Sequence, residues 1–296
     1  MSFRTVYITN PCTIKVKNGQ LVIRTDADYE IPAEDIEAMI IENRQIRITA
    51  SVVDKLLEND ALIYWCDEKH LPSGITIPFA GHYKKAEAMN NQLNLSRKAA
   101  GRIWQKIIRQ KIINQANIIR NIDGVQFEII CNLARDVEEF DVTHREGFAA
   151  RLYFQTLFGE TFKRREESIL NGALNYGYSI IRGAIARDVS AHGFETSFGL
   201  FHHSALNAFN LADDLIEPFR PIVDQYVYNH INDLHEELSA STKSELVSVL
   251  NTRVQISNQS YTVLDAVHLM IKSLAGCYRR DSAAGLILPA IIFKEI

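Results

Sequence analysis

Thr13-Ile14-Lys15-Val16-Lys17-Asn18-Gly19-Gln20-Leu21-Val22-Ile23-Arg24-Thr25 decides how the first part of this chain folds. Two β-branched runs, Thr13–Val16 and Leu21–Thr25, flank Lys17-Asn18-Gly19-Gln20. Asn-Gly between such runs predicts a tight hairpin, because both central residues of a type I′ turn need positive φ. Working outward, Met1-Ser2-Phe3-Arg4-Thr5-Val6-Tyr7 reads as an opening strand, and Ala38–Glu42 and Ala61–Cys66 are apolar runs of strand length. Ser51–Asn59 between them predicts a short helix with Val52, Val53, Leu56 and Leu57 on one face and Ser51 as N-cap.

The stretch His70–Ala80 carries Pro72, Ser73, Gly74 and Pro78 and is followed by Gly81, a concentration of turn residues that marks a boundary. Beyond it the apolar period becomes helical. Ile103, Ile107, Ile112, Ala116 and Ile119 predict one long helix. Ala150, Tyr153, Phe154 and Leu157 predict a second, and Ile169, Ala173, Tyr176 and Ile180 a third. Val223, Tyr226, Val227, Ile231 and Leu234 predict a fourth, and Val263, Val267, Met270 and Leu274 a last. The expected class is α+β, with a small β-rich domain over residues 1–80 and a larger all-α domain over residues 81–296.

A chain of 296 residues is long enough for a large core. No apolar run approaches the roughly 20 residues of a membrane helix, and the N-terminus lacks the apolar stretch of a signal peptide, so a cytoplasmic protein is expected. Cys12, Cys66, Cys131 and Cys277 are scattered without a paired spacing, which argues against a zinc cluster or a disulfide framework; Cys66 and Cys131 read as core residues. The net charge is −4, yet the bases Lys84, Lys85, Arg97, Lys98, Arg102, Lys106, Arg109, Lys111 and Arg120 face a single intervening acid, Glu87, a local excess of +8. That block is a candidate polyanion surface.

The candidate chemistry is split along the chain. Glu146 stands in His144-Arg145-Glu146-Gly147-Phe148; Gly199-Leu200-Phe201-His202-His203 and Asp214-Leu215-Ile216-Glu217-Pro218-Phe219-Arg220-Pro221 follow far downstream. If Leu211–Ile216 is helical, Asp214 and Glu217 share a face, and Pro218 puts Glu217 at a helix end. Taken alone, such a pair is usually a solvated face. Two carboxylates and an imidazole together suit a hard divalent ion, Mg²⁺ or Mn²⁺, and phosphodiester chemistry.

These motifs, with Ala149, Ala150, Tyr153 and Phe154, and with Leu170-Asn171-Gly172-Ala173-Leu174-Asn175-Tyr176-Gly177-Tyr178, resemble in order and spacing the CRISPR-associated integrase, the endonuclease subunit of the spacer-acquisition complex. The likeness runs over essentially the whole chain. The compact length and the Trp104–Gln115 stretch resemble members from type II loci. The resemblance implies a catalytic metal held by Glu146, His202 and Glu217, with Asp214 in support. The doubled histidine leaves His203 as the alternative ring. It also implies that 3′-hydroxyl ends of a captured DNA fragment are joined to CRISPR repeat borders by transesterification. The implied partners are double-stranded DNA, a second copy of the chain (through the β-rich domain) and a small ferredoxin-like adaptation protein. Arg97, Arg102, Lys106, Arg109 and Lys111, then Lys163 and Arg164, are the expected phosphate contacts, with Arg165, Arg279 and Arg280 in reserve. Arg220 is expected to pair with an acid and brace Glu217, Arg145 to meet a phosphate or a local carboxylate, and Asn171 and Asn175 to bridge helices near the site. Two other readings stay open: a metal-dependent nuclease of DNA repair acting on branched DNA, and a non-catalytic helical DNA-binding scaffold whose acids are structural.

Overall fold

The computed structural model describes residues 4–68, 72–78, 85–234 and 238–291. The chain forms two compact units, Met1–Tyr83 and Lys84–Ile296. Several residues of the predicted boundary, including His70, Ala80 and Gly81, lie outside the described residues, as does Lys84 of the basic block.

The first unit is built from β1 (Arg4–Ile8), β2 (Thr13–Lys17), β3 (Gln20–Arg24), β4 (Asp28–Pro32), β5 (Ile36–Ile41), β6 (Arg47–Ile48), α1 (Ala50–Glu58), β7 (Leu62–Cys66) and β8 (Pro72–Thr76). The predicted hairpin forms as written: β2 and β3 pair antiparallel with Lys17 opposite Gln20, and Asn18 and Gly19 take φ of 51° and 78°. Two four-stranded sheets result, ordered β4-β3-β2-β6 and β1-β5-β7-β8. In β5 the run Ile36-Glu37-Ala38-Met39-Ile40-Ile41 is apolar at nearly every position, as befits a strand with parallel neighbours on both sides. Ile14, Leu21, Ile36, Met39, Val52, Leu56 and Ile63 share one core. α1 starts a residue earlier than expected. Thr49, not Ser51, is its N-cap, and the two hydroxyls bond each other at 2.9 Å, so neither caps the helix.

The second unit contains α2 (Lys85–Leu93), α3 (Arg97–Ile119), α4 (Gly124–Arg135), α5 (Arg145–Phe158), α6 (Ile169–Ala191), α7 (Asn210–Leu215), α8 (Arg220–Asn229), α9 (Ala240–Ser248), β9 (Arg253–Ile256), β10 (Gln259–Thr262), α10 (Val263–Arg280) and β11 (Ala290–Ile291). It is therefore not all-α: β10-β9-β11 make a small antiparallel sheet. Strands of two to four residues are too short to show a period against helical flanks. The predicted fourth helix stops at Asn229, leaving Ile231 and Leu234 beyond it, because His230 closes the last turn and a single 3-10 turn follows. Ser96 caps α3 and Ser168 caps α6, while Thr262 and Asp265 form a reciprocal capping box on α10. α3 is the spine of the unit, with Ile103, Ile107, Ile112, Ala116 and Ile119 fully buried. Cys12, Cys66 and Cys277 are buried, whereas Cys131 is only part-buried. Among the described residues no helix is long and apolar enough to cross a membrane.

Candidate functional site

Glu146 enters the site from the first turn of α5, and the turn before it is unusual. Phe140, Asp141 and His144 have φ of 60°, 50° and 54°. Left-handed backbone at three non-glycine residues is strained and persists where its surroundings over-determine it. Here Asp141 supplies the reason: it is buried, and its two carboxylate oxygens accept the N–H groups of Arg145 at 2.9 Å and Glu146 at 3.0 Å. Asp141 thus caps α5 and sets the entry of Glu146, a role that its sequence neighbourhood does not signal.

His202 is placed by Asp214. That carboxylate, fully buried on α7, accepts the N–H groups of Leu200 at 2.5 Å, Phe201 at 2.9 Å and His202 at 3.2 Å, and lies 2.6 Å from His202 Nδ1. The Gly199–His202 segment is therefore wrapped around one acid. A Cβ at Gly199 would lie 2.3 Å from the His202 carbonyl oxygen and 2.8 Å from Asp214 Oδ2, which is why glycine stands there. From α3, Trp104 stacks on Phe201 at 4.5 Å and meets the His202 ring edge-on at 6.0 Å. The hydrogen bond to Asp214 raises the His202 pKa, with burial opposing it. His203 is exposed and lines a different cleft, with Phe198 and Phe201.

Glu217 opens a 3-10 turn between α7 and α8, at the helix end that Pro218 predicted. It is buried, and Arg220 Nε donates to its Oε1 at 2.8 Å, bracing it as expected. Asn114 of α3, wholly buried, donates to the carbonyl oxygens of Pro218 at 2.7 Å and Pro289 at 3.0 Å, fixing the turn from behind. Burial pushes the Glu217 carboxyl up, but the charges of Arg220 and Lys111 outweigh it and hold the pKa at about 2. Asp214 and Glu217 do not act as a pair on one face: the first serves the His202 segment, the second faces Lys111 and Arg220.

The residue that joins the two acids is Lys111. It is 8% exposed, its Nζ lies 2.5 Å from Glu146 Oε1, and it also pairs with Glu217 Oε2. Burial opposes its charge, yet Glu217 and then Glu146 keep its pKa raised. Lys111 therefore leaves the set of solvent-facing phosphate contacts: seven residues on from Trp104, it lies on the inward face of α3. Glu146, Glu217 and Lys111 line a cavity of about 470 Å³ with Arg164, Tyr178, Arg220 and Asp224. Asp224, fully buried, accepts the Tyr178 hydroxyl, and burial raises its pKa to about 6. Asp224 did not stand out in the sequence, whereas Tyr178 closes the Leu170–Tyr178 motif.

The remaining bases divide. Arg97 and Lys98 are exposed, with Arg97 5.8 Å from the Phe140 ring. Arg102 pairs with Glu139 at 2.9 Å, and Lys106 donates to the Ala283 carbonyl oxygen at 2.8 Å, both from exposed positions. Arg109 turns to the Arg135 carbonyl oxygen at 2.8 Å. Lys163 pairs with Glu166 on the surface. Arg164 reaches the cavity, held by Asn171 at 3.0 Å and Asn175 at 2.7 Å. These two asparagines thus anchor the 163–166 turn rather than bridge helices, since Asn171 also donates to the carbonyls of Lys163 and Glu166. Arg165, Arg279 and Arg280 are exposed. Arg145 is part-buried, its backbone N–H held by the Asp141 carboxylate.

Among the described residues, Glu146, His202 and Glu217 do not form a group with donor atoms all within 4.8 Å of one another. Their donor types nonetheless fit a hard cation. Two carboxylates already converge on one positive charge, and an imidazole whose Nδ1 is engaged by a carboxylate is the usual form of a metal-binding histidine.

The sequence pattern of the family described as CRISPR associated protein Cas1 matches residues 6–253. A CRISPR-associated endonuclease Cas1 from Neisseria meningitidis serogroup C is 37% identical, over 99% of this chain and 97% of its own length. Among solved structures, a casposase bound to integration product superposes with a TM-score of 0.80 at 18% identity, covering 100% of this chain and 96% of that one. A Cas6-RT-Cas1–Cas2 complex gives a TM-score of 0.75 at 17% identity, covering 100% of this chain and 36% of that one.

Proposed function

This chain belongs to the CRISPR-associated Cas1 family, and from that premise we propose that it is the metal-dependent endonuclease and integrase of spacer acquisition. It joins the 3′-hydroxyl ends of a captured DNA fragment to CRISPR repeat borders by transesterification. The observation that carries the reading is the convergence of Glu146 and Glu217 on a single buried cation, beside a histidine locked by Asp214.

In this reading Glu146, His202 and Glu217 hold Mg²⁺ or Mn²⁺, which when bound offsets charge on the phosphate and favours the ionised attacking hydroxyl. The chain's own residues do the rest. Asp141 fixes where Glu146 enters; Asp214 fixes the His202 ring and its tautomer; Arg220 keeps Glu217 ionised and oriented. Arg164, aimed into the cavity by Asn171 and Asn175, presents a planar guanidinium to a phosphate. Arg97 and Lys98, with Arg102 and Lys106 nearby on α3, form the surface along which duplex phosphates lie. A second copy of the chain, paired through the β-rich unit, and a small ferredoxin-like partner complete the assembly; relatives of this fold occur in a Cas6-RT-Cas1–Cas2 complex and as a casposase bound to integration product.

The test is manganese-dependent joining of a short duplex to a supercoiled plasmid carrying the repeat, with and without the small partner. Glu217→Ala should abolish joining and leave DNA binding largely intact. Cleavage of branched DNA without any joining would favour the repair nuclease. DNA binding indifferent to chelator, with neither reaction, would favour the scaffold.

A further inference from the structure

We propose a second metal site, distinct from the acidic cavity, formed by Asp188, His192 and His268 and suited to a borderline divalent ion such as Zn²⁺. Among the described residues these three make the one group of three His, Cys, Asp or Glu side chains whose donor atoms all lie within 4.8 Å of one another. The placement follows from the helices. Asp188 and His192 are four residues apart on α6 and so lie on one face, while His268 comes from α10, which packs against α6.

The local geometry is that of a ligand set with its supporting bonds in place. Asp188 is 5% exposed; Arg187 holds its Oδ2 at 3.1 Å, and its Oδ1 lies 3.0 Å from His268 Nδ1. Bonds of about 2.0–2.1 Å in a tetrahedron put ligand atoms roughly 3.3 Å apart, so little closing is required. The two imidazole rings are 5.2 Å apart. His192 Nδ1 lies 2.8 Å from the Asp188 carbonyl oxygen, the kind of backbone partner that sets the tautomer of a metal-binding imidazole. His192 is also the C-cap of α6, so a cation sits at the negative end of the helix dipole. Two imidazoles and one carboxylate select Zn²⁺ and its transition-metal neighbours over Mg²⁺. His268 has a side chain 56% exposed, giving the ion access and leaving a fourth position for water. An ion here clamps the last turn of α6 to α10, at the point where the chain departs towards the segment that carries His202.

The full-length protein, freed of metal by chelator and dialysed, is titrated with Zn²⁺ while its thermal midpoint is followed, and with Co²⁺ while its visible absorption is followed. Tetrahedral Co²⁺ bands should appear in the wild type and equally in Glu217→Gln, which lacks a ligand of the acidic cavity and should bind one ion per chain. At free Zn²⁺ about 100 times the Kd, the midpoint should rise by roughly 5–10 °C. In the Glu217→Gln background, His268→Gln, a change at an exposed side chain, should lose both signals, and His192→Gln likewise. Unchanged Zn²⁺ binding and unchanged Co²⁺ bands in His268→Gln would overturn the proposal. So would binding that disappears in Glu217→Gln and survives in His268→Gln, since the ion would then belong to the acidic cavity alone.

Discussion

Replacing Lys111 by Met tests the electrostatics of the cavity at its centre. The substitution keeps the length of the buried stem and deletes the charge that Glu146 and Glu217 share. Glu217 is depressed from 4.5 to about 2 in the fold, with burial opposing and Arg220 and Lys111 providing the attraction. A depression of about 2.5 pKa units corresponds to about 3 kcal/mol. Because the folded value lies below the unfolded one, that stabilisation is present above pH 4.5 and is lost as pH falls towards 2. Arg220 remains in the variant, but the Lys111–Glu217 pair, buried on both sides, is lost, and breaking a buried pair costs about 3 kcal/mol or more. In chelator at neutral pH, Lys111→Met should therefore melt roughly 5–10 °C below the wild type. Adding Mn²⁺ should reverse most of the loss. In the wild type an ion must displace the ammonium, whereas in the variant it meets Glu146 without that partner and Glu217 paired with Arg220 alone, so the Mn²⁺ midpoint should shift down by about 10- to 100-fold. Differential scanning calorimetry with and without Mn²⁺ reads both effects. A variant that melts with the wild type in chelator and shows the same Mn²⁺ midpoint would refute the reasoning, because Lys111 would then contribute nothing to holding the two acids.

Other outcomes follow from the same geometry. Asp214→Asn should lower the His202 pKa, measured by NMR titration of the ring. The raised value means that the His202–Asp214 pair stabilises the fold below pH 6.5 and that this support fades as pH rises through the folded value; an unmoved His202 titration would show that Asp214 is not its partner. Asp224 has the opposite sign from an ordinary salt-bridged acid: its folded pKa of about 6 lies above its ordinary 3.8, so stability declines as pH rises across that interval, by about 3 kcal/mol in all. Asp224→Asn should flatten the pH dependence of urea midpoints there, and parallel curves for the two proteins would count against it. Gly199→Ala should displace the His202 carbonyl or Asp214 and cut plasmid joining by at least tenfold, whereas normal joining would show that the segment can yield. Arg97→Glu with Lys98→Glu should weaken duplex binding and reduce its salt slope by about 2, measured by fluorescence anisotropy at several salt concentrations.

Local rules account for the parts that could be read early. Asn18-Gly19 needs positive φ, and only a hairpin between Thr13–Lys17 and Gln20–Arg24 uses it. Helical spacing of isoleucines over 103–119 could be assigned without knowing what packs there, since a helix closes its hydrogen bonds within itself. Pro218 likewise announced that Glu217 ends a helix. The identity of the site, by contrast, came from motifs in order along the chain; spacing alone never distinguished Glu146 from other acids.

What tertiary structure alone decided is which charges meet. Lys111 and Arg109 are two residues apart on one helix, yet a turn of roughly 200° sends one to the buried acids and the other towards Arg135. Asp141 and Asp214 proved to be the residues that aim Glu146 and His202, through backbone N–H groups that no side-chain pattern encodes. Asp188, His192 and His268 come together across 80 residues of chain because α6 and α10 pack side by side. Hydrogen-bond periodicity and turn stereochemistry are local and are written in neighbouring residues. Burial and electrostatic pairing depend on distances through space, and those exist only once the helices have closed around α3.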